Sequence, residues 1–145
     1  MLTSRDAGDS VVLAEDAERG DPHWCPECES EVILKRGAIV VPHFAHLPDS
    51  GCWLSTGESQ RHLEMKLQIG RRFEHTPLFP TVEYEVRFGP YRRADVVLTE
   101  ERVVVECQTS PIGIDEIRAR TRFYNGEGYG VLWVFDTARL PDDWQ

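Results

Sequence analysis

Five cysteine and histidine side chains stand at spacings that suit a zinc ion. They are Cys25, Cys28, His43, His46 and Cys52. A Cys-x-x-Cys pair places two thiolates at bonding distance from one Zn²⁺ ion, and the remaining ligands of a tetrahedral site return after a hairpin. We therefore predict a closed, structural zinc site built from four of these five residues, with no open position for catalysis.

A redox-active Cys-x-x-Cys pair is the alternative to a zinc site. Such a pair usually stands at the start of a helix in a βαβ unit. Here Cys28 is followed by polar residues and then by a short apolar run, which is typical of a strand. A segment of about 35 residues buries little core by itself, so metal binding would supply much of its folding free energy.

Two acidic residues are predicted to lie opposite each other on neighbouring strands. If residues 91–99 and 102–108 form a tight antiparallel hairpin, Asp95 faces Glu106. Directly opposed carboxylates have Cβ atoms about 5 Å apart and repel each other. A divalent cation offsets this repulsion, and oxygen ligands suit Mg²⁺ or Mn²⁺. A surface ion pair between Arg93 and one of the acids is the alternative.

The other face of the same predicted hairpin is apolar. Its members are Ala94, Val96, Leu98, Val103, Val105 and Cys107. Because side chains alternate between the two faces of a strand, this face is expected to belong to the core. We therefore predict that Cys107 is a core residue rather than a nucleophile or a metal ligand.

Short apolar runs come first along the chain. Residues 10–14 are predicted to form a strand, and residues 31–34 and 38–41 are predicted to pair as a hairpin across three polar and glycine residues. Residues 47–57 contain proline and glycine and are interpreted as a linker.

From residue 58 the hydrophobic period becomes helical. We predict a helix over residues 58–73, capped by Thr56 or Ser59 and ended by Pro77 and Pro80. The segments predicted to follow are strands over 81–88, 91–99 and 102–108, a helix over 114–124 and a strand over 129–135. Apolar strands beside two helices indicate an α/β layer with a mixed sheet.

Composition restricts the class of protein. The chain has 145 residues, of which 41% are hydrophobic, so it suits a compact domain with a small module rather than a disordered chain. No apolar run approaches the ~20 residues of a membrane span, and the N-terminus lacks a signal-peptide pattern. We expect a cytoplasmic protein with reduced or metal-bound cysteines.

The net charge of −9 argues against a protein that coats nucleic acid. Its distribution weakens that objection, because residues 1–57 carry four basic and ten acidic side chains, whereas residues 58–145 carry twelve and fifteen. Local basic surface is therefore expected in the second part, although solvated charged faces would give the same pattern.

Taken together, the motifs resemble the competence protein CoiA-like family, within the PD-(D/E)XK nuclease superfamily. The resemblance covers about residues 10–136. The segments that carry it are Cys25-Pro-Glu-Cys28, residues 32–35 with Gly37, Pro42-His-Phe-Ala-His46, Gly57-Glu-Ser59, His62, Lys66, Arg93-Ala-Asp95-Val, Val105-Glu-Cys-Gln-Thr-Ser110, Arg118, Arg120-Thr-Arg122, Tyr124 and Leu132-Trp133.

The resemblance implies an α/β (α+β) fold with a restriction-endonuclease-like αβββαβ core over residues 58–145. A zinc-finger-like module over residues 21–57 and an N-terminal strand and loop over residues 1–20 would precede it. The superfamily uses acidic residues to hold one or two divalent ions and activate water for phosphodiester hydrolysis. The resemblance therefore implies a nuclease that uses Mg²⁺ or Mn²⁺ for catalysis and Zn²⁺ for structure, with DNA as its substrate.

Site residues carry over position by position. Asp95 and Glu106 match the two motif acids, and Glu58 matches the acid on the first helix. Gln108 stands where the superfamily usually has a lysine, which orients water and stabilises developing negative charge. CoiA-like proteins share this glutamine, which cannot supply that charge but could position water or metal-bound solvent.

Two further residues on the first helix could take part. Glu58, His62 and Lys66 are spaced by four residues and share one predicted helix face. If that face meets the two motif acids, Lys66 could supply the missing charge, and His62 could transfer protons or bind phosphate. The alternatives are a His62 that packs on the zinc module and a solvated Lys66. The residues predicted to hold the DNA backbone are Arg93, Arg118 and Arg122.

Two other functions stay open. A non-catalytic DNA-binding or DNA-processing factor would explain the absence of the motif lysine, and a protein-interaction adaptor would suit the acidic N-terminal part. The sequence does not decide between DNA and RNA, single and double strands, or a homodimer and a partner protein. The pathway, whether transformation, repair or defence, is likewise open.

Overall fold

The computed structural model describes residues 1–48, 50–77, 81–90 and 92–137, except for the side chain of Thr56. Tyr91 at the start of a predicted strand, Pro80 and the C-terminal residues 141–145 lie outside this part. The chain divides into two compact units, Met1–Glu64 and Met65–Gln145. Within the described residues, no helix is both long and apolar enough to cross a bilayer.

The first unit contains a sheet of five short strands in the order β2-β1-β3-β4-β5. The strands are β1 (Thr3–Arg5), β2 (Val11–Leu13), β3 (His23–Trp24), β4 (Glu31–Lys35) and β5 (His43–His46). All described pairings in this sheet are antiparallel. Because β1 pairs with both β2 and β3, residues from the predicted N-terminal segment and from the predicted zinc module share one sheet.

The core of this unit is small and rich in sulfur. Its buried members are Met1, Ala14, Ala17, Cys25, Val32, Phe44 and Cys52. A 3-10 helix over Trp53–Thr56 follows the strands, and Leu54 packs against the core from it. Because this core contains so few apolar residues, we expect a bound metal to contribute to the stability of this unit.

One strand prediction in this unit is wrong. The partner of β4 is β5 at His43–His46, not residues 38–41, and Leu34 pairs with Phe44. Ile39 is 94% exposed, whereas Phe44 is 1% exposed. The pairing that buries the phenyl ring removes far more apolar surface from water, so residues 36–42 become the connection instead. The strand predicted over residues 10–14 is confirmed as β2.

Helix α1 (Gln60–Glu74) begins two residues later than predicted. The Ser59 hydroxyl accepts a hydrogen bond from the backbone NH of His62 at 3.1 Å, which confirms Ser59 as the N-cap. Glu58 therefore precedes the helix rather than forming its first turn.

The second unit contains a four-stranded sheet in the order β6-β7-β8-β9. The strands are β6 (Val82–Phe88), β7 (Arg92–Leu98), β8 (Val103–Gln108) and β9 (Gly130–Phe135). The first three strands are antiparallel, β9 is parallel to β8, and helix α2 (Ile114–Gly126) connects the last two. The predicted sequence of helices and strands and the mixed sheet are confirmed, and the fold is mixed α+β.

The predicted register of the β7–β8 hairpin is confirmed in its three described pairs, which extend from Val96 with Val105 to Leu98 with Val103. The Thr99 carbonyl accepts from the Arg102 amide at 3.3 Å and closes the tight turn. Two-residue hairpin turns usually contain glycine or asparagine, whereas this turn contains Glu100 and Glu101. Arg102 offsets this, since its guanidinium donates to the carbonyls of Glu127 and Gly128 and stacks 4.7 Å from the Tyr129 ring centre.

The prediction of one apolar and one acidic face on β7 is wrong in one respect. Ala94 joins the same buried cluster as Val97, Val104 and Tyr124, although Ala94 and Val97 should point to opposite faces. The alternation changes at Asp95, where the regular β6–β7 pairing skips the position of Glu85, and Glu85 has φ of 56°. This local distortion turns the strand, so that both faces of β7 are buried.

Candidate functional site

The first candidate site is a cluster of three cysteines and one histidine in the N-terminal unit. One ligand atom from each of Cys25, Cys28, His46 and Cys52 lies within 4.8 Å of all the others. Within this cluster, Cys28 Sγ lies 3.4 Å from His46 Nε2. Cys25 and Cys28 flank the turn between β3 and β4, and His46 ends the neighbouring strand β5. Three thiols and one imidazole are a donor set that zinc binds tetrahedrally.

His43, the fifth predicted ligand, is not part of this cluster. Its Nδ1 lies 2.8 Å from the carbonyl oxygen of Val41. On a strand, residues three apart point to opposite faces, so His43 and His46 cannot both turn toward the cysteines. The structure therefore brings together four of the five candidates.

The cysteines in the cluster differ in acidity. Burial raises the pKa of Cys25 to about 11, and burial also raises the pKa of Cys52. Burial opposes ionisation of Cys28 as well, but hydrogen bonds from Ser30 and His46 lower its pKa to about 6. One thiolate therefore forms readily, and a bound cation would be needed to ionise all three.

The second candidate site is acidic and lies where β7 and β8 separate. Asp95 is 9% exposed and Glu106 is 3% exposed. Burial raises the pKa of Glu106, and the neighbouring charge of Asp95 raises it further. Glu106 Oε1 is buried without a hydrogen-bond partner among the described residues. A bound cation would give Glu106 Oε1 a partner and would offset the repulsion between Asp95 and Glu106.

Helix α2 provides two side chains to this acid. Arg120 Nη1 lies 3.4 Å from Glu106 Oε2, and its Nε donates to Glu116 at 2.8 Å. The Tyr124 hydroxyl lies beside the same carboxylate, and both neighbours lower the pKa of Glu106 against the effect of burial. Burial and the charge of Glu106 in turn raise the pKa of Tyr124, so the phenol stays protonated and available as a donor.

The neutral side-chain amide of Gln108 is bound by Ser110. Its Nε2 donates to the Ser110 carbonyl at 2.6 Å and contacts the Ser110 hydroxyl at 3.1 Å. The amide group is therefore fixed by the loop that follows β8, and it contributes no positive charge near the acids.

Lys66 and Arg93 both bind the carboxylate of Glu85. Lys66 Nζ donates to Glu85 Oε1 at 2.5 Å, and Arg93 Nη2 donates to Glu85 Oε2 at 2.8 Å. The side chains of Lys66 and Glu85 are each 2% exposed, and that of Arg93 is 9% exposed. Lys66 is thus not a solvated surface residue, and Arg93 is held in the interior rather than presented at the surface.

Glu58 and His62 contact each other in the N-terminal unit, where His62 Nδ1 lies 3.1 Å from Glu58 Oε1. On α2, Arg118 and Arg122 are exposed and one turn apart. Arg118 also lies 3.6 Å from the exposed Asp115.

Sequence reasoning gave no role to Glu85 or Glu116. Glu85 looks like an ordinary outward-facing acid of strand β6, and only its pairing with two basic side chains distinguishes it. For Glu116, its spacing of four residues from Arg120 on a helix was an available signal.

Both halves of the chain match known family models. Residues 10–55 match the N-terminal domain of competence protein CoiA, and residues 58–143 match its nuclease-like domain. No solved structure matches the chain.

Two curated proteins are similar to this chain. Competence protein CoiA of Bacillus subtilis (strain 168) is 32% identical over 120 residues, which cover 81% of this chain and 32% of that protein. Druantia protein DruB of Escherichia coli (strain UMEA 4076-1) is 38% identical over 42 residues, which cover 29% of this chain and 8% of that protein. The chain therefore spans a third or less of these relatives. The family models and the Bacillus subtilis relative agree, and the chain belongs to the competence protein CoiA family.

Proposed function

We propose that this protein is a divalent-metal-dependent nuclease that hydrolyses phosphodiester bonds in DNA. The observation that carries the proposal is the buried Glu106 Oε1, which has no hydrogen-bond partner among the described residues and lies beside a second acid, Asp95. The match of residues 58–143 to a nuclease-like domain supports the same reading.

Asp95 and Glu106 would hold Mg²⁺ or Mn²⁺, since hard cations prefer carboxylate oxygens. Such an ion lowers the pKa of bound water and neutralises a scissile phosphate. The chain itself orients both acids, because Asp95 Oδ2 accepts from the Cys107 amide at 2.8 Å and Arg120 contacts Glu106 Oε2 at 3.4 Å. The family resemblance adds Glu58 as a further metal ligand and His62 as a proton-transfer or phosphate-binding group.

Gln108 would act as a neutral positioning group for water. Its Nε2 is engaged by Ser110, so the amide plane is fixed. On α2, the exposed Arg118 and Arg122 would contact the DNA backbone, which gives salt-dependent affinity without base specificity. A cytoplasmic location and a structural Zn²⁺ ion in the N-terminal unit complete the proposal.

One observation favours a second function. The Gln108 amide is bound to the main chain and carries no charge, as in a nuclease fold that has lost catalysis. The second candidate is therefore a DNA-binding or DNA-processing factor of the competence type that does not cut DNA. It predicts salt-sensitive DNA binding with no cleavage under any divalent ion.

The deciding experiment measures cleavage of labelled single- and double-stranded DNA with Mg²⁺, Mn²⁺ or EDTA. Wild type is compared with Asp95→Asn and Glu106→Gln, which keep side-chain shape and remove charge. Glu101→Gln, an exposed acid in the turn of the same hairpin, is the matched control. We expect metal-dependent cutting by wild type and the control only. Full cleavage by Asp95→Asn would overturn the assignment, and intact DNA binding without any cleavage would favour the second candidate.

A further inference from the structure

We infer that Glu85 is a positioning residue, clamped by Arg93, that holds the Lys66 ammonium group at the acidic site. Lys66 then supplies the positive charge that Gln108 cannot. The inference rests on the nuclease function proposed above, and it adds a residue for which neither the motifs nor the family comparison gave a role.

Glu85 is fixed by three contacts. Its two carboxylate oxygens receive Lys66 Nζ at 2.5 Å and Arg93 Nη2 at 2.8 Å, and its carbonyl oxygen receives Arg93 Nε at 2.8 Å. Glu85 and Lys66 are both 2% exposed at the side chain. Although burial opposes it, the two basic neighbours hold the pKa of Glu85 well below its usual range, so the carboxylate stays charged. Charge-assisted contacts of this kind fix the position of the ammonium group.

The position of this cluster is set by the strand register. Tyr84 pairs with Val96 and Val86 pairs with Ala94, so Glu85 and Asp95 occupy the same register position between β6 and β7. The two residues are neighbours across β6 and β7, although they do not form a regular pair themselves, because Glu85 has φ of 56°. Lys66 is therefore held one strand away from the proposed metal ligand.

The backbone at Glu85 indicates that this placement is enforced. Its φ of 56° lies in the left-handed region, which a non-glycine residue rarely occupies. Such a conformation persists only where surrounding contacts determine it, and it is common at functional sites. Here the carbonyl contact from Arg93 and the two side-chain contacts supply that determination.

The charges argue against a purely structural role. Arg93 alone balances the charge of Glu85, so the cluster does not need Lys66 for neutrality. A second buried cation is costly unless it interacts with further negative charge. Asp95, which lies opposite Glu85 between the flanking strand pairs, would provide such charge, and a phosphate with its developing negative charge would provide it during cleavage.

The test compares Lys66→Met, Glu85→Gln and the double variant with wild type, using cleavage rate, thermal unfolding and DNA affinity in Ca²⁺. Glu85→Gln alone leaves two buried cations without their anion and should lower stability, and the double variant should recover part of the loss, because only Arg93 then lacks its anion. We expect kcat to fall by about 10²-fold or more in all three, with DNA affinity nearly unchanged. Lys66→Arg should restore part of the rate.

The outcomes separate this inference from the proposed function. A stable double variant that cleaves at the wild-type rate overturns the inference and leaves the nuclease intact. If Glu85→Gln or the double variant does not fold, Lys66→Met alone decides, because Arg93 still neutralises Glu85. A folded Lys66→Met that cuts normally also overturns it. A wild type that never cuts overturns the proposed function, and the inference with it.

Discussion

The Asp95 carboxylate accepts a hydrogen bond from the backbone NH of Cys107 over 2.8 Å. The regular pairing of β7 with β8 stops one residue earlier, at Val96 and Val105. A side-chain oxygen thus takes the place of a main-chain acceptor where the two strands separate. The acid that we propose as a metal ligand therefore also satisfies a buried donor of the fold.

This double role predicts different effects for two substitutions at Asp95. Asp95→Ala removes the carboxylate that accepts from the buried Cys107 NH and should lower the free energy of unfolding by about 1–3 kcal/mol. Asp95→Asn keeps an oxygen acceptor at the same place and should cost less than about 1 kcal/mol, while still abolishing metal-dependent cleavage. Urea unfolding of both variants measures the difference. Equal stability losses would mean that the hydrogen bond does not contribute.

In the absence of metal, the ionised Glu106 side chain is predicted to lower the free energy of unfolding. Burial and the neighbouring Asp95 raise its pKa, so the ionised form is destabilised in the folded protein. Above the raised pKa the acid is ionised in both folded and unfolded states, and its full cost is present. Below the ordinary carboxyl pKa it is protonated in both states, and the cost is gone. Metal-free Glu106→Gln should therefore be more stable than wild type at pH 7.

The pH dependence provides the check on Glu106. The stability gain of Glu106→Gln should shrink as pH falls through the raised pKa toward the ordinary carboxyl range, in thermal unfolding measured with EDTA. The control Glu101→Gln, on an exposed turn, should show no such trend. A Glu106→Gln variant that is less stable than wild type at pH 7 would contradict the assigned cause of the raised pKa.

The sequence was sufficient to predict the second unit in some detail. The two-residue turn at residues 100–101 fixes the hairpin register, and a slip by one residue would turn Glu106 away from the face of Asp95. Helical spacing then locates α1 and α2 within a few residues. The distortion at Glu85 was not predictable, since it depends on two basic residues, Lys66 and Arg93, that reach it from other elements.

The first unit was harder to predict because its strands are only two to five residues long. An apolar run such as residues 38–41 has the composition of a strand but no alternation to show which face is buried. Correct placement of β5 would have excluded His43 from the cluster of three cysteines and His46, because on a strand His43 points away from His46. The ligand set thus depended on one strand assignment.

Metal content tests that ligand set directly. His46→Ala removes a ligand and should lower zinc content from about one ion per chain and reduce thermal stability, because the small core cannot compensate. His43→Ala is the matched control on the same strand, and it should retain zinc. Zinc is measured with a colorimetric chelator after unfolding. Loss of zinc in His43→Ala with retention in His46→Ala would refute the cluster.

The last prediction concerns the close approach of Gly70 on α1 to Tyr84 on β6. A Cβ atom at Gly70 on α1 would overlap the ring of Tyr84 on β6. The ring has little freedom to move, since its hydroxyl donates to Glu74 at 3.0 Å and the side chain is buried. Gly70→Ala should gain up to about 1 kcal/mol from helix propensity but lose more to overpacking, which typically costs about 1–3 kcal/mol.

Gly126→Ala is the control for this substitution, because it lies in a helix and a Cβ there meets nothing within 4 Å. It should leave stability unchanged or slightly increased, whereas Gly70→Ala should lower the midpoint of urea unfolding. The difference between the two variants isolates the clash from the general effect of glycine on the unfolded chain. If both variants were stabilised alike, the close approach of α1 to β6 would be wrong, and with it the distance over which Lys66 reaches Glu85.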